Sequence, residues 1–289
     1  MDTPVARSPL VDAPADTIHL PWVAAQSSPT PTITPTPTPT LACPAYSVNM
    51  YGLGRATQYD RDDPVRPAAQ HADKNLALRG YAPNTDSWLQ RSLVSYGPKV
   101  SPRPPQLATL FYPSRVPDLS NYFRVHHWNW ASSPSPGTRG DPITRYAVTA
   151  LGLATTRGEG IYTPLSDYDL GQGVAAILLY ADEDSVALRY TREDSSAPPG
   201  YTLHIDGLCT DPNLLNLYRQ ADAPNGPRYV YPTGGYDLPT LAAGQMMGVA
   251  RGDQIVVAIT DTGSFMDPRS CNEWWQYPTG LVTDCPPAQ

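Results

Sequence analysis

Residues 27–40 read SSPTPTITPTPTPT, and no hydrogen-bonded element can be built from them. Proline fixes φ and removes a backbone donor, so an alternating Thr-Pro run is an extended, solvated polyproline-like spacer. Residues 1–42 therefore add nothing to a core, and folding starts near Cys43. A stalk of this kind holds a domain away from a surface or a neighbouring module, and its threonines suit O-glycosylation. The remaining chain is long enough for one large domain or two small ones.

Lys74 and Lys99 are the two lysines of a chain whose net charge is −7, and its arginines form no run. That balance excludes phosphate-backbone binding as a natural role, so nucleic acid is not an expected partner. No stretch reaches the roughly 18 apolar residues of a membrane span. Residues 1–26 contain no basic segment followed by an apolar run, so export would need a signal outside this sequence.

Cys43, Cys209, Cys271 and Cys285 are the four cysteines, and none forms a C-x-x-C pair. The spacing speaks against a zinc ribbon or a thioredoxin-like redox site. Two disulfides in an oxidising compartment fit better, and with the stalk they indicate an extracellular or cell-surface setting. Three pairings are open, and the sequence does not choose among them. Cys209–Cys271 with Cys43–Cys285, the latter tying together the two ends of the folded region, is the expectation taken to the structure.

Residues 43–147 read as an irregular, aromatic-rich elaboration packed on a β domain at 148–289. Prolines and aromatics alternate through 103–133, which suits loops and edge strands. After Tyr146 the pattern sharpens. AVTALGLA (147–154), GYTLHIDGL (200–208) and DQIVVAIT (253–260) alternate or run apolar, as strands do. NLLNLYRQAD (213–222) reads as one short helix, and Asp182-Glu183-Asp184 as the solvated tip of a hairpin. The expected fold is mainly β, a small barrel or sandwich with one short helix.

Three segments of the second half, taken in order, resemble the M23 family, the lysostaphin-like zinc endopeptidases. VTALGLATTRGEGIYTP (148–164) is similar to the family's H-x-G-x-D and G-T-P-V-Y-A-P patterns through Gly158, Ile161, Tyr162 and Pro164. LPTLAAGQMMGVA (238–250) resembles its G-Q-x-I-G turn, and QIVVAITDTGSFMDP (254–268) its closing H-L-H-F-E-V strand with the Asp-Pro that follows. The resemblance implies a small β-barrel and cell-wall peptide or glycan as the substrate class. It also implies a zinc site, and there this chain departs from the family. The ligand positions fall on Val148, Gly152 and Val256, with Gln254 at the first histidine of H-x-H. Zinc hydrolysis needs three protein ligands and an open position, and this set supplies none. The expectation is a non-catalytic, cofactor-free surface module of degenerate M23 type.

Other residues offer an alternative zinc site. His126 and His127 adjoin in RVHHWNW (124–130), where a strand would point them to opposite faces. His204 stands two residues before Asp206, on one face of a strand, a spacing that can orient an imidazole for acid–base work. A relocated peptidase centre would draw on these four. For ligand binding, Trp274, Trp275, Tyr277 and Arg269 form one aromatic and charged group, and Trp128 with Trp130 another. Such groups hold sugars or peptides, or else supply core contacts. Adjacent residues on an extended segment cannot both face inward, which favours exposure for one of Trp274 and Trp275. A structural envelope protein without a small ligand is the remaining class.

Overall fold

The computed structural model describes residues 42–56, 67–131, 136–191, 200–222 and 236–289. The Thr-Pro stalk and His19 lie outside the described residues. The described residues form one compact unit.

The strands, in chain order, are β1 (Gly52–Ala56), β2 (Tyr81–Pro83), β3 (Leu119–Asn129), β4 (Thr138–Pro142), β5 (Ala150–Ala154), β6 (Gly160–Tyr162), β7 (Ala176–Ala181), β8 (Ser185–Arg189), β9 (Tyr201–Asp206), β10 (Leu208–Thr210), β11 (Tyr236–Leu241), β12 (Met246–Ala250), β13 (Gln254–Asp261) and β14 (Ser264–Phe265). Three α-helical segments join them: α1 (Leu76–Arg79), α2 (Pro212–Asp222) and α3 (Cys271–Trp274). The main sheet runs β1-β11-β7-β8-β9-β13-β5-β3-β2, with β14 paired to β13 and β4 to β3. A second sheet runs β10-β12-β6, and the ladders between these strands are antiparallel. The protein is mainly β, as its apolar runs require.

Local chemistry accounts for the turns. Asp182 closes the β7–β8 hairpin by accepting from the Asp184 and Ser185 amides and the Ser185 hydroxyl, while Tyr180 donates to its other oxygen. Thr262 and Gly263, both at positive φ, make the two-residue connection of β13 to β14. Such a turn matches strand twist. Helix α2 begins at Pro212, where a missing N–H costs nothing, and Asp211 caps it through the Asn213 and Leu214 amides.

Two apolar clusters lie on opposite faces of β13. Ile255, Val257 and Ile259 join the large core, with Trp274, Trp275, Tyr190 and the buried face of α2. Val256 and Ala258 join a smaller one with Leu76, Val125, Ile143, Ala150 and Phe265.

Three details differ from expectation. Segment 119–129 is not an edge: β3 is an 11-residue strand with β2 on one side and β5, followed by β4, on the other. Its prolines lie before it and leave its ladder donors intact. The disulfides are Cys43–Cys209 and Cys271–Cys285, not the expected pairs. Cys43 lies on a strap beside β10, with Cα atoms 5.2 Å apart, and Cys271 of α3 meets the C-terminal segment at 6.2 Å. Finally, Trp274 and Trp275 are both buried, because α3 is a helical turn and not an extended segment.

Candidate functional site

The face of the main sheet carrying Val256 brings together most positions of interest. Across β5, β13 and β9, Gly152, Val256 and Asp206 stand in one register row, and Ser185 of β8 continues it. His204 lies in the next row, opposite Ala258 and Ala187.

On the β5 side the row is closed by a neutral polar knot. Gln254 accepts hydrogen bonds at Oε1 from Ser120 Oγ (2.6 Å) and Asn121 Nδ2 (2.5 Å). Its amide lies over Gly152, where a Cβ would run into Gln254 and come within 2.8 Å of Ser120 Oγ. A side chain here would have to push those flexible ends aside. Val148, the remaining position of the M23 frame, is fully buried in the large core, across the sheet from Val256. An amide, a hydroxyl and methyl groups offer zinc no adequate donor set.

On the β9 side the row is buried and charged. His204 is enclosed, its ring stacked on Phe265 at 5.9 Å, with Arg79 over the same Phe265 ring at 4.8 Å. The Lys74 main chain acts on the imidazole, yet neither ring nitrogen makes a hydrogen bond of normal geometry. Burial, then the nearby Arg79 and Arg189 cations, push its pKa down to about 3, so the ring is neutral. Asp206 is pushed up to about 7 by burial and by Asp182 and Asp184, against a lowering hydrogen bond with Tyr81. Its Oδ1 makes no hydrogen bond among the described residues. The pair is therefore a neutral imidazole and a carboxyl that holds its proton to near neutrality. Enclosure keeps His204 from any substrate.

The structure separates the other candidates. His126 Nδ1 contacts the Gly140 carbonyl at 2.8 Å, and His127 is exposed on the same strand. Among the described residues no three His, Cys, Asp or Glu side chains converge to hold a metal, so His126, His127, His204 and Asp206 do not form one centre. Trp274 and Trp275 donate their indole N–H groups to the Asp267 and Pro268 carbonyls inside the core, which corrects their reading as a ligand surface. Arg269 is equally enclosed, bound through its fork to Asp267. Tyr277 is half-buried beneath Arg103. Trp130 stays 44% exposed, edge-on to His71 at 5.0 Å and to Trp128 at 6.4 Å, while Trp128 Nε1 donates to the Pro136 carbonyl.

Sequence reasoning missed Ser120, Asn121, Arg79 and Tyr81 as neighbours of this face. They arrive from segments distant in the sequence, and no local pattern announced them. The chain matches no protein-family model, no curated protein and no solved structure. Among the described residues no helix is long and apolar enough to cross a membrane.

Proposed function

We propose that this chain is a non-catalytic module of degenerate M23 type, exported or displayed at the cell surface, that recognises cell-wall peptide or glycan. One observation carries the reading. Gly152 and Val256, two positions where the frame expects metal ligands, are register partners on neighbouring strands, and a satisfied Gln254–Ser120–Asn121 knot occupies their end of the row. Two disulfides with no free cysteine support an oxidising compartment. The Thr-Pro segment is suited to display. Contact with the wall falls to the exposed Trp130, with Trp128 and His71 beside it, since aromatic faces with polar rims stack on sugars.

The test is co-sedimentation with purified peptidoglycan sacculi, beside elemental analysis of protein prepared without chelator. Retention on sacculi, lost in Trp130→Ala, with no stoichiometric metal, is the expected result. About one zinc per chain together with peptidase activity would replace this reading with the relocated metal site. No retention would leave a structural envelope protein.

A further inference from the structure

The ladder between β11 and β7 holds for two residue pairs, Thr240↔Ile177 and Leu241↔Ala176, and stops at Pro239, which has no N–H to donate. β11 continues paired to β1 along five residues. Beside this junction lies a cleft of about 380 Å³, within the range of small-ligand sites.

Three features of its lining point the same way. Arg55 and Asp237 are cross-strand register partners, so a guanidinium and a carboxylate stand side by side at the cleft. Such partners have Cβ atoms about 5 Å apart. Leu53, Leu170, Val174 and Ile177 supply an aliphatic wall, and among the described residues no aromatic ring lines it. The loop opposite carries Gly171, Gln172 and Gly173 at φ of 101°, 58° and 78°. Gln172 is one of two non-glycine residues at positive φ among those described, and its neighbours are glycines with open space around them. Gln172 and Gly173 are the central residues of a tight turn closed by the Val174 N–H on the Gly171 carbonyl, a turn that needs positive φ at both. The turn places Gln172 at the cleft, where its amide offers a donor and an acceptor together to whatever the cleft holds.

The geometry points to a binding site for the head group of an aliphatic α-amino acid. The carboxylate pairs with Arg55, the α-ammonium with Asp237, and the side chain lies against Leu53, Leu170 and Ile177, while Gln172 caps the head group. Arg55 and Asp237 exchange part of their present interactions for those of the ligand, which conserves charge because the ligand brings one of each sign. The described lining residues include no aromatic platform of the kind on which a sugar stacks. The inference does not rest on the M23 reading, which concerns another part of the sheet.

The experiment is a ¹H–¹⁵N titration of the full chain with leucine, beside N-acetyl-leucine and leucine amide, each of which removes one head-group charge. Leucine is expected to shift resonances of 53–56, 170–174, 237 and 240. Each blocked derivative should bind about tenfold or more weakly, as loss of a charged hydrogen bond implies. Arg55→Gln should weaken leucine to a similar degree. Gln172→Gly should also weaken it while leaving the melting temperature unchanged or raised, because glycine adopts positive φ at no steric cost. No shift at millimolar leucine, equal binding of all three compounds, or unchanged binding in both variants would overturn the assignment.

Discussion

His204 and Asp206 make opposite contributions to the pH dependence of stability, and the two conceal each other. Asp206 titrates near 7 when folded against an ordinary 3.8, so its contribution is full below 3.8 and is lost as pH rises through 7. His204 titrates near 3 against an ordinary 6.5, so its contribution is full above 6.5 and is lost as pH falls through 3. Each slope is about 1.4 kcal/mol per pH unit, amounting to about 4 kcal/mol for Asp206 and about 5 for His204 as upper values. Between 3.8 and 6.5 the unfolded pair carries its proton on the histidine and the folded pair on the carboxyl. The proton count is equal, and the two slopes cancel. Single substitutions uncover them. Asp206→Asn should give a protein that gains stability relative to the native chain as pH rises from 4 to 7. His204→Phe should give one that gains relative stability as pH falls from 6.5 to 4, whatever constant offset its packing adds. Urea unfolding at closely spaced pH values, without reductant and followed by the fluorescence of the buried Trp274 and Trp275, measures both differences. Two difference curves without slope, or two of the same sign, would refute the assignment of a neutral imidazole beside a protonated carboxyl.

Three further outcomes are expected. Removing Cys43–Cys209, which spans 166 residues, should cost about 5 kcal/mol in a chain-entropy account, against about 3 for Cys271–Cys285, which spans 14; paired Cys→Ala variants in denaturant test the order. Trp274→Ala should lower stability by about 3–5 kcal/mol through the cavity it leaves, whereas Trp130→Ala should barely alter the unfolding midpoint while abolishing sacculus retention. Arg269→Ala should cost about 3–5 kcal/mol at pH 7, because Asp267 is left buried without its fork; Tyr96, which donates to Asp267 at 2.6 Å, moderates the loss. Calorimetry reports the stability changes.

The β architecture was legible because its strands are long apolar or alternating runs bounded by glycine and acidic turns. The Asp182 hairpin and the Gly263 turn fall where their side chains and φ requirements place them. β3 was obscured by Pro104, Pro105, Pro113 and Pro117, which precede the strand without interrupting it. Burial of Trp274 and Trp275 depends on one helical turn, too short for periodicity to announce, and the disulfide pairing on which distant segments lie side by side. The common face of His204 and Asp206 was readable from their spacing. Their environment was not: Arg79 and Tyr81 arrive from the α1–β2 segment, far earlier in the chain.

Those long-range placements also bear on how far the proposed M23 shell has departed from a metal site. If only side chains had been lost, restoring them should restore binding. Gly152 and Val256 are neighbours across β5 and β13, but a side chain at 152 must displace the Gln254 amide. Those contacts are to flexible ends that can move. Val148 is a different matter, because it packs into the large core while Val256 belongs to the small cluster on the opposite face. No rotamer carries a side chain through a sheet, so the backbone before β5 would have to turn. The combined variant Val148→His, Gly152→Asp, Val256→His is therefore expected to hold well under one zinc per chain and to be destabilised by a buried imidazole at 148. Stoichiometric zinc in that variant would show that the backbone still converges as a metal site requires. The placement of Val148 would then be wrong, and the loss of the site would lie in side chains alone.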